Sequence, residues 1–209
     1  MFNELFNTLD KWRHFPNYQL ERRADIFFAL YLPLILKTKG IKDIKCVIPE
    51  FPIRIGEIND DVDINKSYKI DYLVIHGNNQ VKFVELKTDD SSRRNSQDKY
   101  LKESKKKGFK TLLHGLIKIF KATKYKKKYR FLVDELVEAG ALEKFNNTYT
   151  VSSTDYIDEE IIYIQPNNSD NKPDVIDFKR IANKLRELAD DGVAQRFSKS
   201  LIKWADDQI

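Results

Sequence analysis

The chain has 209 residues, 41% hydrophobic and 12% aromatic, with only seven glycines and six prolines; this suits one domain with a sizeable buried core and excludes a disordered or fibrous class. The net charge of +5 is uneven: between Arg93 and Arg130 stand 15 Lys or Arg against Asp98 and Glu103, or +13, leaving 22 basic against 30 acidic residues elsewhere, or −8. One cysteine, Cys46, excludes an internal disulfide or cysteine-based zinc site, and the longest apolar run, Ile26 to Leu36, is broken by Pro33 and too short for a bilayer.

In chain order, Glu4 and Asp10 stand where a secretory signal would have its basic and apolar regions, so a cytoplasmic protein without a membrane partner is expected. Leu20, Ala24, Phe27, Phe28 and Tyr31 recur at helical spacing, which predicts a helix from Tyr18 to about Leu32, ended or kinked by Pro33. Residues 44–55 read as a strand that Pro49 and Pro52 confine to an edge or bulge. Strands at about 69–76 and 80–87 follow, joined by Gly77-Asn78-Asn79. Ser92 or Ser96 can then cap a long helix to about Thr123, with Phe109, Leu112, Leu113, Leu116, Ile117 and Phe120 on its apolar face, lysines opposite and Gly108 as an interruption. A helix at 125–145, a strand at 159–166, a turn-rich loop at 166–174 and one or two helices from Asp177 to Ile209, with Gly192 as a break, complete the pattern. This order is that of an α/β fold with a mixed sheet flanked by helices.

The hairpin carries the chemistry. If Gly77 to Asn79 form the turn, paired residue numbers sum to 156 and Asp71 faces Glu85. Opposed side chains have Cβ atoms roughly 4.5–5.5 Å apart, where two like charges are unfavourable. A divalent cation removes the conflict, since Mg²⁺ takes oxygen ligands and two carboxylates with a backbone carbonyl form a partial cage. Lys87, two residues beyond Glu85, points to the same face, where an ammonium can position water or stabilise charge on a phosphate. Leu73, Ile75, Val81 and Phe83 share that face, while Val74, Val84 and Leu86 occupy the other. Apolar residues on both faces describe interior strands, in which a carboxylate needs a partner. The alternatives are a register slipped by one residue or carboxylates on a solvated sheet face.

Asp71, thirteen intervening residues, then Glu85-Leu86-Lys87 resembles the signature of the PD-(D/E)XK nuclease superfamily, the fold of restriction endonucleases and lambda-type exonucleases; Ile70 stands where the motif has proline. The resemblance implies a restriction-endonuclease-like core of helix, three strands, helix and strand over about 18–122 plus 159–166, in one domain spanning 1–209. A helical insertion at about 123–158 and C-terminal helices at about 177–209 would be appended to it. It implies a deoxyribonuclease using Mg²⁺ or Mn²⁺, with Asp71, Glu85 and the Leu86 carbonyl on the metal and Lys87 serving the attacking water. In the exonuclease-like branch a first-helix glutamate joins the metal, and Glu21 matches it, with Asp25 one turn later as the alternative. That branch also has a glutamine and a tyrosine on the following helix, matched by Gln97 and Tyr100 at a spacing of three rather than four. Arg93, Arg94, Lys99, Tyr100, Lys105 and Lys106 are the expected contacts to the DNA backbone, with RNA the alternative polymer and a homodimer left open.

Other patterns carry less. Asp61, Asp63 and Asn65 alternate like a calcium loop, but Lys66 replaces its glycine and Tyr72 its final acid, which leaves an acidic turn. His14, His76 and His114 form no zinc pattern, and no phosphate-binding glycine loop is present. Glu50 is either close to the metal or an exposed edge residue, and Trp12 and Trp204 read as packing anchors. Two rival functions keep part of the pattern: a non-catalytic nucleic-acid-binding module with a nuclease-like fold, and a protein-interaction domain whose lysines only solubilise it.

Overall fold

The computed structural model describes residues 2–59, 64–89 and 95–207. Its elements in chain order are helices α1 (Phe2–Trp12) and α2 (Leu20–Lys37), strand β1 (Ile44–Arg54), a single helical turn α3 (Ile55–Ile58), and strands β2 (Ser67–His76) and β3 (Gln80–Leu86). Helices α4 (Asn95–Lys107), α5 (Phe109–Ala122) and α6 (Lys126–Glu138) follow, then short strands β4 (Leu142–Phe145) and β5 (Thr148–Val151), strands β6 (Ile157–Gln165) and β7 (Val175–Asp177), and helices α7 (Phe178–Arg186) and α8 (Gly192–Asp206). The class is α/β: a five-stranded sheet runs in the order β1-β2-β3-β6-β7, flanked by helices, and β4 pairs separately with β5. The sheet is mixed, with β1, β2 and β3 antiparallel and β6 parallel to β7.

The hairpin register is set by its turn. Every pair from His76↔Gln80 to Tyr72↔Val84 sums to 156, as expected. Gly77 (φ 48°) and Asn79 (φ 59°) both take the left-handed region, which explains a turn built from Gly and Asn. Leu73, Val74, Ile75, Val81, Phe83 and Val84 are fully buried, so β2 and β3 are the interior strands that their two apolar faces predict. β1 stands at the end of the strand order, where prolines cost no ladder bond on the open side, and Glu50 between Pro49 and Phe51 has φ 52°.

The chain forms two compact units. One comprises Asp43–Val84 and Arg94–Ile161; the other comprises Met1–Lys42, Glu85–Arg93 and Ile162–Ile209. In the first, α5 and α6 pack on β1, with Phe109 of α5 against Phe51 at 6.3 Å between ring centroids. In the second, the rings of Phe6, Phe27 and Phe28 meet Phe197, which also contacts Trp204, and these aromatics hold α1, α2 and α8 together. Among the described residues no helix is long and apolar enough to cross a membrane.

Several expectations need correction. α1 and β7 were not anticipated. Pro33 does not end α2, which continues to Lys37: the proline is exposed, while buried Leu32, Ile35 and Leu36 anchor the last turns. The long helix breaks in two at Gly108 (φ 83°, ψ 151°), the interruption expected there, and Ser96 lies inside α4. The insertion is not wholly helical, since α6 stops at Glu138 and the β4–β5 hairpin turns at Asn146 with φ 54°. Trp204 is the buried anchor expected, but Trp12 is 45% exposed and meets Tyr18 only edge-on.

Candidate active site

Glu85 and Leu86 end β3, and the Lys87 backbone N–H donates to the Ile164 carbonyl at 2.8 Å, so ladder pairing continues past the strand's end. This pairing fixes the backbone from which the Lys87 side chain turns back. Its Nζ lies 2.8 Å from Glu85 Oε1 and donates to the Leu86 carbonyl at 2.8 Å. Glu21, in the first turn of α2, brings Oε2 to 3.8 Å from the same nitrogen. The Glu85 side chain is 0% exposed, that of Lys87 5% and that of Glu21 34%. Ionised groups this deep are tolerated only when paired, because neither retains its water.

Two carboxylates and a carbonyl oxygen thus lie about one ammonium. All three oxygens are hard donors of the kind that Mg²⁺ and Mn²⁺ accept, so the donor chemistry fits a divalent ion. Among the described residues no group of three or more His, Cys, Asp or Glu side chains gathers into a metal set.

Four of the sequence-predicted residues thus meet: Glu21, Glu85, Leu86 and Lys87. Of the two α2 carboxylates, Asp25 is exposed and accepts from the Ile26 N–H at 2.6 Å, whereas Glu21 is the one beside Lys87. Asp71 is half-buried on β2, next to Tyr72. Gln97 is half-buried near the start of α4, and Lys99, Lys105 and Lys106 are exposed along that helix. Tyr100 stacks flat on Tyr68, with centroids 4.5 Å apart and planes 1° from parallel, and its hydroxyl donates to the Lys69 carbonyl at 2.8 Å. One face of the Tyr100 ring is therefore already covered. Arg93 and Arg94 lie outside the described residues, as do Ser92, Asp61 and Asp63. Glu50 is an exposed edge residue paired with Lys69 at 2.5 Å.

Sequence reasoning passed over two buried cations. Lys82, 3% exposed, pairs with Glu160 at 2.9 Å, and Arg54, 4% exposed, pairs with Glu57 at 3.1 Å. Lysine or arginine within a run of β-branched and aromatic residues is the signal that marks both. Cys46 is not a reactive group: burial, with Glu135 and Glu138 adding to it, pushes its thiol up to about 11.

The fold and this cluster define an α/β protein in which one interior strand ends on a buried, cation-holding group of oxygens. Comparison with known protein families, with curated proteins and with solved structures finds no match.

Proposed function

We propose that the protein is a cytoplasmic, metal-dependent nuclease of the PD-(D/E)XK type that hydrolyses phosphodiester bonds in DNA. The observation that carries this reading is the gathering of Glu85, the Leu86 carbonyl and Glu21 about one cation, Lys87, at the end of β3. The succession α2, β1, β2, β3, α4 with α5, and β6 supports a restriction-endonuclease-like core. The register, constant through Tyr72↔Val84, supports taking the adjoining Asp71 and Glu85 as the paired carboxylates.

Asp71, Glu85, Glu21 and the Leu86 carbonyl would hold Mg²⁺ or Mn²⁺. When bound, the ion supplies a Lewis acid for the phosphoryl oxygens and a water of lowered pKa. Lys87 orients the attacking water and stabilises the negative charge that develops on the phosphate. Gln97 positions that water or the phosphate. Lys99, Lys105 and Lys106, with Arg93, Arg94 and Tyr100, hold the backbone by charge and hydrogen bonding.

The test is incubation with linear, circular and single-stranded DNA in Mg²⁺, Mn²⁺ or chelator. Cleavage is expected only with metal, and Glu85→Ala and Lys87→Ala should each lose at least about 10²-fold in rate while remaining folded by circular dichroism. Turnover equal to the parent protein in both variants defeats the reading. One observation favours a non-catalytic DNA-binding module instead: Lys87 already neutralises Glu85 from within the chain. That module binds DNA in a salt-dependent way and shows no turnover with any metal.

A further inference from the structure

Of the eight residues from Lys124 to Phe131, five are Lys or Arg, three are aromatic and none is acidic. They open α6, whose first turn is Lys126, Lys127 and Lys128. Cations at that end oppose the helix dipole, so helix stability does not account for them. One of the three is used within the fold. Lys126 donates to the Phe120 and Lys121 carbonyls at 2.5 and 2.7 Å and lies over the Phe120 ring, which closes the end of α5. Lys124, Lys127 and Lys128 are exposed and form no hydrogen bond or ion pair among the described residues.

The rings divide in the same way. Phe120 and Tyr149 pack edge to face at 5.3 Å between centroids, whereas Tyr125 and Phe131 are 73% and 71% exposed. Lys127 and Lys128 precede Phe131 by four and three residues, which puts both ammonium groups on the helix face that carries its ring. Asp134, three residues after Phe131, accepts from Lys144 and from the Tyr149 hydroxyl, both at 2.8 Å, and so fastens the β4–β5 hairpin to α6. Phe145, beside Lys144 at the tip of that hairpin, is a third ring, 79% exposed. Flat π faces set among unpaired ammonium groups match a ligand that repeats an anion and an unstacked base. A duplex offers the anions but keeps its base faces inside its own stack.

We propose that the start of α6 and the tip of the β4–β5 hairpin form a surface that holds single-stranded nucleic acid. Bases stack on Tyr125, Phe131 and Phe145, and Lys124, Lys127 and Lys128 pair with the phosphates between them. The surface goes beyond the reading at Lys87 and does not rest on it, because holding a strand needs neither metal nor hydrolysis.

The experiment measures fluorescence anisotropy of labelled strands on the full chain in chelator, so that no strand is cut and the nuclease reading is left to its own cleavage assay. The probes are a single-stranded DNA, the RNA of the same sequence, and an abasic strand of equal length and charge. Wild type is compared with Tyr125→Ala, Phe131→Ala and Lys127→Gln, whose exposed side chains leave the fold intact. Each ring variant is expected to weaken the intact strand about fivefold or more and to leave the abasic strand unchanged. Lys127→Gln should weaken both strands and lower the slope of log affinity against log salt by about 0.7. Binding of the DNA, the RNA or both supports the proposal and names the sugar that is accepted. The proposal is overturned if neither ring variant weakens the intact strand, or if the abasic strand or an acidic peptide of equal charge loses as much.

Discussion

The clusters at Lys87 and Arg54 are built alike but around cations of different shape. Each buries a cation to 5% side-chain exposure or less against a glutamate, and each fixes that cation with a second acceptor, the Leu86 carbonyl in one and Asn65 in the other. At Lys87 the Glu85 and Glu21 carboxylates lie 2.8 and 3.8 Å from one ammonium. At Arg54 the Glu57 carboxylate accepts from both the guanidinium and Lys118. The oxygens about a compact ammonium can also suit a small cation, whereas a planar guanidinium held by two side chains is a directional strut.

The sharpest way to break the comparison is Lys87→Met. It leaves Glu85 fully buried without its ammonium, so the metal-free protein should lose roughly 3 kcal/mol of stability. Mn²⁺ should restore most of that loss, because the metal would take the Glu85 and Leu86 oxygens that the ammonium holds in the parent chain. Calorimetric titration should accordingly show tighter Mn²⁺ binding in the variant than in the parent. Denaturant unfolding with Mn²⁺ and with chelator measures the first effect, and an equal Mn²⁺ response in both proteins removes the basis for placing a metal among these oxygens.

A smaller effect tests the other cluster, which α5 approaches at Gly115: a Cβ there would stand 2.6 Å from Glu57 Cγ and 3.0 Å from Arg54 Cβ. Replacing an interior helix glycine by alanine ordinarily stabilises by up to about 1 kcal/mol. Gly115→Ala should instead destabilise by roughly 1–3 kcal/mol, since the new Cβ forces both neighbours to move. Thermal unfolding decides the sign, and a stabilised variant would mean that this close approach is absent.

How much of this could be read in advance depends on sequence distance. The β2–β3 register was legible because three turn residues and flanking β-branched runs determine it within nineteen residues. Glu85 and Lys87 were legible for the same reason, since a period of two sets them on one face. Glu21 was the first match and Asp25 its alternative, and the approach of Glu21 to Lys87 favours the first. The Arg54 cluster was not legible, because it assembles from positions 54, 57, 65 and 118, and only an arginine within an apolar strand marked it. Pro33 misled because local propensity argues for a stop, while tertiary burial of Leu32, Ile35 and Leu36 outweighs one lost hydrogen bond. β4 and β5 were missed since four-residue strands carry too little alternation to be told from a helix end.

The smallest predicted effect uses a carboxylate held by neutral donors as the reference for the other two. Asp191 caps α8: its Oδ1 accepts from the Ala194 and Val193 N–H groups at 2.9 and 3.0 Å, and its Oδ2 from the Tyr31 hydroxyl at 2.8 Å. The hydrogen bond from Ala194 is the main reason its carboxyl lies below the ordinary carboxylate value, aided by Tyr31 and Val193 against the opposing effect of burial. A folded-state pKa below the unfolded value gives stability that is present above about pH 4 and lost as pH falls through the lowered folded value. Asp191→Ala should cost about 1 kcal/mol at neutral pH, and the gap from wild type should narrow on acidification. Asp191→Asn keeps a capping oxygen, so it should lose less than Asp191→Ala at pH 7. Because Asp191 is satisfied by neutral donors, Mn²⁺ should leave these differences unchanged. Mn²⁺ is expected to change the Lys87→Met comparison, which distinguishes oxygens that can take a metal from a cap that is already complete.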